Sequence, residues 1–298
     1  MKILTGEDIP PALRADGPDA RLATDGASCS LWWSGAPPDH GAIGHFEAED
    51  KSAARDLLQE ACALLAARGC KAALAPMNGN TWRSYRYATG GMEENARPLF
   101  LLEPPAALGR ERLLERAGFT PAHYYASYLE TLGDCPDPAA RLAAAGFAAR
   151  TLDIARLEAE LRLVYDLAAL AFRENPFYTE LPRESFVRQY LSYREMIAPE
   201  LVFLAFAGDR LAGFLFCLPD HLAPPAYPAT LLIKTLAVSP AYRGRGLGGA
   251  LMALARRRAF ALGYAQAIEA LVYRGNASER FCQNADLLRE YTLYRKVL

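Results

Sequence analysis

The densest chemical content of this chain lies between Val238 and Gly249, in the run VSPAYRGRGLGG. Gly244, Gly246, Gly248 and Gly249 crowd a turn that opens a helix, with Arg243 and Arg245 interleaved. The first turn of an α-helix leaves amide N–H groups without intrahelical acceptors, and the helix dipole adds positive charge at that end. Glycines remove the β-carbons that would hold an anion away from the backbone. With two arginines at the rim, the group this cradle suits is a pyrophosphate.

Two nucleotide readings compete for such a loop. A mononucleotide loop needs Gly-Lys followed by Ser or Thr to place phosphates and Mg²⁺, and neither occurs here. A dinucleotide fingerprint is formally met by Gly244, Gly246 and Gly249, with Glu269 about 20 residues beyond. Two features count against it. A spacer containing Pro240 separates the strand end from Gly244, where that fingerprint wants a tight turn. Too few residues follow Gly249 to supply the remaining parallel strands.

The elements that must position the loop follow from periodicity. Asp153 caps a helix whose inward face runs Ile154, Leu157, Leu161, Val164, Ala168 and Phe172. A second helix starts near Pro182. LVFLAF and LAGFLFCL, joined across Gly208-Asp209, read as a hairpin, and ATLLIKTLAV as a buried strand ending at Ser239-Pro240. Leu247 to Leu262 is helical and stops at Gly263. Gln266 to Val272 reads as a strand, Ala277 to Leu288 as a helix, and Tyr291 to Val297 as a last strand.

The first half repeats part of this order: the strand GAIGHFEA, a helix from Lys51 to Arg68 ending at Gly69, a strand at Lys71 to Ala75, a short helix near Arg110 to Ala117, and the closing strand HYYASYLETL. Helix, Gly69, strand, Gly79-Asn80 matches helix, Gly263, strand, Gly275-Asn276. The expected division is a first lobe over 1–133, a linker over 134–150 and a second lobe over 151–298.

Arg243-x-x-Gly246-x-Gly248, preceded by Val238-x-Pro240, resembles the acyl-CoA pyrophosphate loop of the GNAT superfamily of N-acetyltransferases. The element order from about Thr151 to Leu298 is similar to that family as well. The resemblance implies an α/β (α+β) GNAT-like acyl-CoA N-acyltransferase fold, here as two lobes, each a mixed central sheet flanked by helices. It implies that the backbone of Leu236, Ala237 and Val238 pairs with the pantetheine arm of acetyl-CoA. The loop from Arg243 through Gly244, Arg245, Gly246, Leu247 and Gly248 to Gly249 would hold the pyrophosphate, and Asn276 would contact pantetheine. A backbone N–H near Val238 would meet the thioester oxygen as charge develops on it.

The family's usual tyrosine acid falls at Phe281 and Cys282, a departure that turns attention to Tyr291 and Tyr294 on the last strand. Tyr294 is taken as the candidate acid and Glu269 as the candidate base, with an outward-facing strand residue the plain alternative for Glu269. Phe177 and Tyr178, with Glu174, lie where the family builds its acceptor wall; core packing explains Phe177 equally well.

Other singled-out residues have plainer readings. His221 follows Pro219-Asp220 and reads as an exposed loop residue. Arg256, Arg257 and Arg258 spread around a helix and read as a solvated face. The loop PMNGNTWRSYR, Pro76 to Arg86, is balanced between contacting substrate and plugging a domain interface. The first half carries Glu47, Glu49 and Asp50 where the second has its arginines and glycines, so it reads as a degenerate lobe that does not bind CoA.

Composition limits the remaining choices. The 33 basic and 34 acidic residues of the 298 nearly cancel, which offers no concentrated basic surface for nucleic acid. No window approaches the ~18 uncharged apolar residues of a membrane span, and MKILTGEDIP turns acidic too early for a secretory signal. The 6 cysteines lack CxxC or zinc-finger spacing and read as reduced thiols of a cytoplasmic protein, with no metal expected. The resulting expectation is transfer of acetyl from acetyl-CoA to a small-molecule or peptide amine in a ternary complex. A noncatalytic acyl-CoA sensor is the alternative. Neither the acceptor nor the oligomeric state is readable.

Overall fold

In the computed structural model, which describes residues 1–93 and 96–298, the first half forms β1 (Lys2–Leu4), α1 (Pro11–Arg14), β2 (Ala20–Thr24), β3 (Ala27–Trp32), β4 (His40–Ala48) and α2 (Lys51–Ala67). β5 (Ala72–Ala75), β6 (Tyr87–Gly90), α3 (Arg110–Arg116) and β7 (Thr120–Thr131) complete it. α2 begins where the Asp50 carboxylate accepts the Ala53 N–H at 2.6 Å, and ends before Gly69, which sits at φ +84°. Ala54, Leu57, Leu58, Ala61 and Leu65 on one face of α2 are buried against the sheet. Each of these leucines contributes about 1.5–3 kcal/mol by that burial.

The second half forms α4 (Ala139–Ala144), β8 (Ala148–Thr151), α5 (Leu157–Phe172), α6 (Arg183–Leu191), β9 (Val202–Ala207), β10 (Arg210–Pro219), β11 (Thr230–Val238), α7 (Leu247–Ala261), β12 (Gln266–Tyr273) and β13 (Asp286–Val297). The stretch read as a linker therefore carries α4 and β8, and β8 pairs with β9 as an edge strand. The helix expected over Ala277–Leu288 is only a 3-10 segment, Ala277–Cys282. From Asp286 onward the chain is captured as a strand by β7, a tertiary pairing that overrides local helical preference.

All strands join one mixed sheet in the order β1-β2-β3-β4-β5-β13-β7-β12-β11-β10-β9-β8, with β6 beside β5 on the same edge of β13. The closing strands have changed places. β13, the last strand of the second half, pairs with β5 of the first; β7, the last strand of the first half, pairs with β12 of the second. Each half thus completes its sheet with a strand from the other, and β7 and β13 pair along most of their length.

Helices cover the sheet unequally. α2 and α3 cover one face of the first half, and α7 covers one face of the second. α5 and α6 lie on the opposite face of the second half, over Leu204, Phe214 and Ala237. The corresponding face of the first half carries the loop 76–86 and the α5–α6 connection, through Trp32, Met77, Tyr85, Leu293 and Phe177.

Candidate functional site

β11 ends at Val238, a 3-10 turn spans Pro240–Tyr242, and α7 starts at Leu247. Gly244 and Gly246 lie at φ +78° and +79°, where an L side chain is strained, so glycine is required by the turn itself. Among the described residues the backbone N–H groups of 244 to 249 donate to no carbonyl or side chain. Six consecutive donors at the positive end of a 15-residue helix make an anion cradle. Gly213 on β10 lets the helix close on the sheet: a β-carbon there would stand 3.1 Å from the Ala237 carbonyl and from Leu247.

The rim arginines are held by neighbouring helices. Arg243 donates to the Ala171 carbonyl at 3.1 Å, near the C-terminal end of α5, and lies 3.4 Å from Glu174. Arg245 donates to the Ala145 carbonyl at 2.6 Å after α4 and stacks over Phe147. A third cation is Arg141 of α4, close enough that a β-carbon on Gly246 would meet its guanidinium at 3.1 Å. Sequence reading missed Arg141 because it lies in the stretch assigned to the linker.

Beyond the loop the two parallel strands part. β11 and β12 pair from Thr230 with Gln266 to Ile233 with Glu269, and then no further. β11 bulges at Lys234, where Thr235 and Ile233 take successive partners Phe216 and Cys217 on β10. β12 bulges against β7 between Glu269 and Val272; Leu271 sits at φ +62° and its N–H donates to Ser127 Oγ at 3.0 Å. The edge of β11 from Lys234 to Val238, which includes Leu236 and Ala237, has no partner strand on the β12 side. Asn276 follows β12 and spends its side-chain oxygen on the Ser278 N–H at 2.9 Å. Phe281 packs on Gly248 and Gly249: a β-carbon on Gly248 would meet its ring at 3.2 Å.

Glu269, the last residue of β12 paired with β11, is buried rather than outward-facing. Its carboxylate contacts Arg256 and accepts the Cys282 thiol hydrogen at 2.8 Å. Arg256 also bonds Glu130 at 2.7 Å, which corrects the reading of all three helix arginines as a solvated face; Arg257 and Arg258 are exposed. Burial pushes the Glu269 carboxyl up to about 7, against the hydrogen bond from Cys282 and the charge of Arg256.

The opposite face of the fork belongs to both halves of the chain. Trp82 of the loop 76–86 donates to the Thr179 carbonyl at 2.8 Å and packs on Tyr178 and Phe186, as an interface plug does. Four residues on, Arg86 lies at φ +67°, its guanidinium 4.1 Å from the centre of the Tyr85 ring and 4.0 Å from that of Tyr125. A non-glycine residue held in that backbone region costs about 1–3 kcal/mol. Tyr125 leads to Tyr273, whose hydroxyl lies 2.9 Å from His123 Nδ1, and His123 packs on Phe177. Burial lowers His123 below the usual imidazole range.

Lys234 reaches into this face, with its ammonium 3.5 Å from the Leu102 carbonyl. Desolvation, and then the charge of Arg86, brings its ammonium down to about 7, with Glu103 pulling the other way. Glu103 itself is fully buried, 2.6 Å from Arg289 and bonded by the Tyr291 hydroxyl. Its carboxyl is raised by burial against the bonds from Tyr291, Phe100 and Arg289.

Tyr294 is not brought to the site. Alternation along β13 places Tyr291 on the face with Tyr125, and Tyr294 on the other, in the core beneath α2 with Leu114 and Phe119. Because β13 has crossed to β5, Tyr294 faces Ala75 of the first half rather than the Gly-rich loop. Phe177 and Tyr178 lie on the face of the fork that carries Trp82 and His123, Phe177 between His40 and His123. His221 is exposed.

The matching place in the first half is built otherwise. Asp50 occupies the start of α2, and a shallow depression of about 210 Å³ beside it is lined by Glu49, Asp50, Lys51 and Arg110. β4 and β5 do not fork there: the Met77 N–H donates to the Ile43 carbonyl at 2.8 Å, and Asn78 Oδ1 accepts the His45 N–H at 3.2 Å.

The site is a glycine cradle at a helix start, beside two parallel strands that separate. Residues 162–284 match the model of the acetyltransferase (GNAT) family. Solved structures place the rest in the same fold. A GCN5-related N-acetyltransferase from Sphaerobacter thermophilus is 18% identical with a TM-score of 0.54, covering 91% of this chain and 76% of that one. One from Anabaena variabilis is 10% identical with a TM-score of 0.54, covering 98% and 66%. A tandem GNAT protein from the clavulanic acid biosynthesis pathway is 12% identical with a TM-score of 0.51, covering 91% and 79%. At these identities the likeness concerns the fold. No curated protein sequence matches the chain. Among the described residues no helix is long and apolar enough to cross a membrane.

Proposed function

We propose that this chain is an acyl-CoA-dependent N-acyltransferase that moves acetyl from acetyl-CoA to an amine. The run of unpaired amides from 244 to 249, opening α7 beside the fork, carries the reading. Those amides, with Arg243, Arg245 and Arg141 at the rim, suit the pyrophosphate, and the free edge of β11 through Leu236, Ala237 and Val238 suits the pantetheine amides. Asn276 borders the same groove. Acetyl-CoA supplies the activated acyl group. The chain's own part is to hold it, to present backbone donors of the β11 edge to the carbonyl oxygen, and to take a proton from the amine.

Glu269 is assigned the proton-accepting role: it stands at the fork, and its carboxyl near 7 suits proton transfer close to neutral pH. The first half is assigned a structural role without CoA. The Asp50 carboxylate stands where an incoming phosphate would need a donor, and the bonded β4–β5 pair leaves no groove.

Thermal unfolding with acetyl-CoA tests the assignment. At a hundred times Kd, binding stabilises the native state by about 2.7 kcal/mol, or about 5 °C for a chain of this size. Titration calorimetry should return one site per chain. Gly248→Glu, or Gly249→Glu where the Phe281 ring leaves ordinary contact space of 3.7 Å, should abolish the shift while leaving a cooperative transition. A full shift in both variants refutes the placement. The departure from the family's tyrosine acid at Phe281 and Cys282 favours a second reading, an acyl-CoA sensor. Acetyl-CoA binding without thiol release across a broad amine panel would decide for it.

A further inference from the structure

Arg86 is buried to 5% exposure, yet no carboxylate among the described residues lies within ion-pair distance of it. One terminal nitrogen donates to the Tyr85 hydroxyl at 2.7 Å, and the guanidinium carbon lies 4.1 and 4.0 Å from the centres of the Tyr85 and Tyr125 rings, which stand nearly perpendicular to each other. Its Nε is buried and has no partner. The cation–π contacts with the two rings leave this edge donor unaccounted for.

Lys234 is the second cation here and also lacks an ion-pair partner among the described residues. It is the bulged residue at the point where β11 leaves β12, at the start of the open β11 edge. Glu103, the carboxylate that acts on Lys234 among the described residues, is committed to Arg289 and Tyr291. Two buried or half-buried cations therefore share a face with no free anion among the described residues. Burying uncompensated charge is costly, and a bound anion offsets that cost.

We propose that Arg86 and Lys234 receive the carboxylate of the acceptor, which is an amino acid with an aromatic or aliphatic side chain. The guanidinium edge suits a carboxylate, and Lys234 supplies a point charge beside it. Tyr125, Tyr273 and Phe177 continue from Arg86 as an aromatic surface for the side chain. With the carboxylate neutralising one cation, the other disfavours the ammonium form, so the amine is presented as the free base.

The reaction then balances simply. The amine nitrogen forms a bond to the acetyl carbon, the carbon–sulfur bond breaks, the amine proton leaves to the base, and CoA departs as the thiol. The products are an N-acetyl amino acid and CoA. This substrate assignment rests on the acyltransferase reading.

Matched acceptor pairs test it by thiol release: phenylalanine against phenethylamine, tyrosine against tyramine, valine against isobutylamine. The expected result is kcat/KM higher for the amino acid by about ten- to a hundredfold, the worth of a charge-assisted hydrogen bond. Arg86→Gln should erase that preference, acting on the amino acid and hardly on the amine, with the acetyl-CoA thermal shift retained. Arg86→Lys should keep part of it. If Arg86→Gln does not fold, Lys234→Gln carries the same comparison.

Equal use of acids and amines overturns the assignment, as does a preference that survives both substitutions. Normal acetyl-CoA binding with no amino acid acetylated overturns it too, and leaves the acyl-CoA reading standing. Loss of acetyl-CoA binding in the wild-type protein would instead remove both.

Discussion

Replacing Glu269 with Gln isolates one titration in the fold. The carboxylate is 4% exposed and shares Arg256 with Glu130, so two acids divide one guanidinium. Burial raises its pKa from the ordinary 4.5 to about 7. A group raised in the folded state contributes stability that is fully present below 4.5 and is lost as the pH climbs through 7, because the folded protein then holds a proton the unfolded chain has released. The gap corresponds to about 3 kcal/mol, or about 5 °C for a chain of this length. Glutamine cannot titrate. The Tm of Glu269→Gln minus that of the wild type should therefore rise by about that amount between pH 4.5 and 8. Groups common to both proteins, Lys234 among them, cancel in the difference. Calorimetric scans at half-unit intervals supply the measurement. Parallel profiles, or a difference that falls with pH, would show that the ion pair with Arg256 outweighs burial and that Glu269 is charged throughout. It would then be a poor choice for the proton acceptor.

Two further expectations concern the first half and the strand exchange. Asp50→Ala removes the cap of α2 and should cost about 1 kcal/mol in urea denaturation, with the acetyl-CoA shift unchanged because the proposed site for that ligand is on the other half. Residues 1–133 expressed alone lack β13, which leaves β5 and β6 without their partner and β7 without both neighbours. That fragment should show no cooperative unfolding, and mixing with residues 134–298 should restore it; a cooperative transition in the fragment alone would mean that β7 can close its own half.

The contrast between α7 and its counterpart α2 shows how much was legible. The glycines at 244 and 246 encode a left-handed turn that side-chain-bearing residues resist, and the arginines between them encode charge. That local chemistry, with the strand before it and the amphipathic helix after it, is enough to read a cradle for pyrophosphate. The same reasoning read Asp50 as a residue that would repel phosphate, and the structure shows its carboxylate already bonded to the Ala53 N–H. The hairpin of β9 and β10, the strand β11 and the inward face of α5 were likewise legible, because a period of 2 or 3.6 residues is a property of the chain's own apolar pattern.

Tyr294 and Arg86 show the limit. Alternation identifies β13 as a strand and separates Tyr291 from Tyr294, but pairing partners are chosen by contacts between residues far apart in sequence. Nothing local in β7 or β13 says that each closes the other half's sheet, so the sequence could not tell that Tyr294 faces α2. Arg86, Lys234 and Glu103 are unremarkable one by one. They form an electrostatic unit only where the fold brings loop 76–86, the bulge of β11 and the segment between β6 and α3 onto one face, and where burial withdraws the water that would otherwise screen them. The amino acid sequence alone determined the phosphate cradle, since a few adjacent residues build it from their own backbone; the tertiary structure alone decided which charges are left without partners, since that depends on everything folded around them.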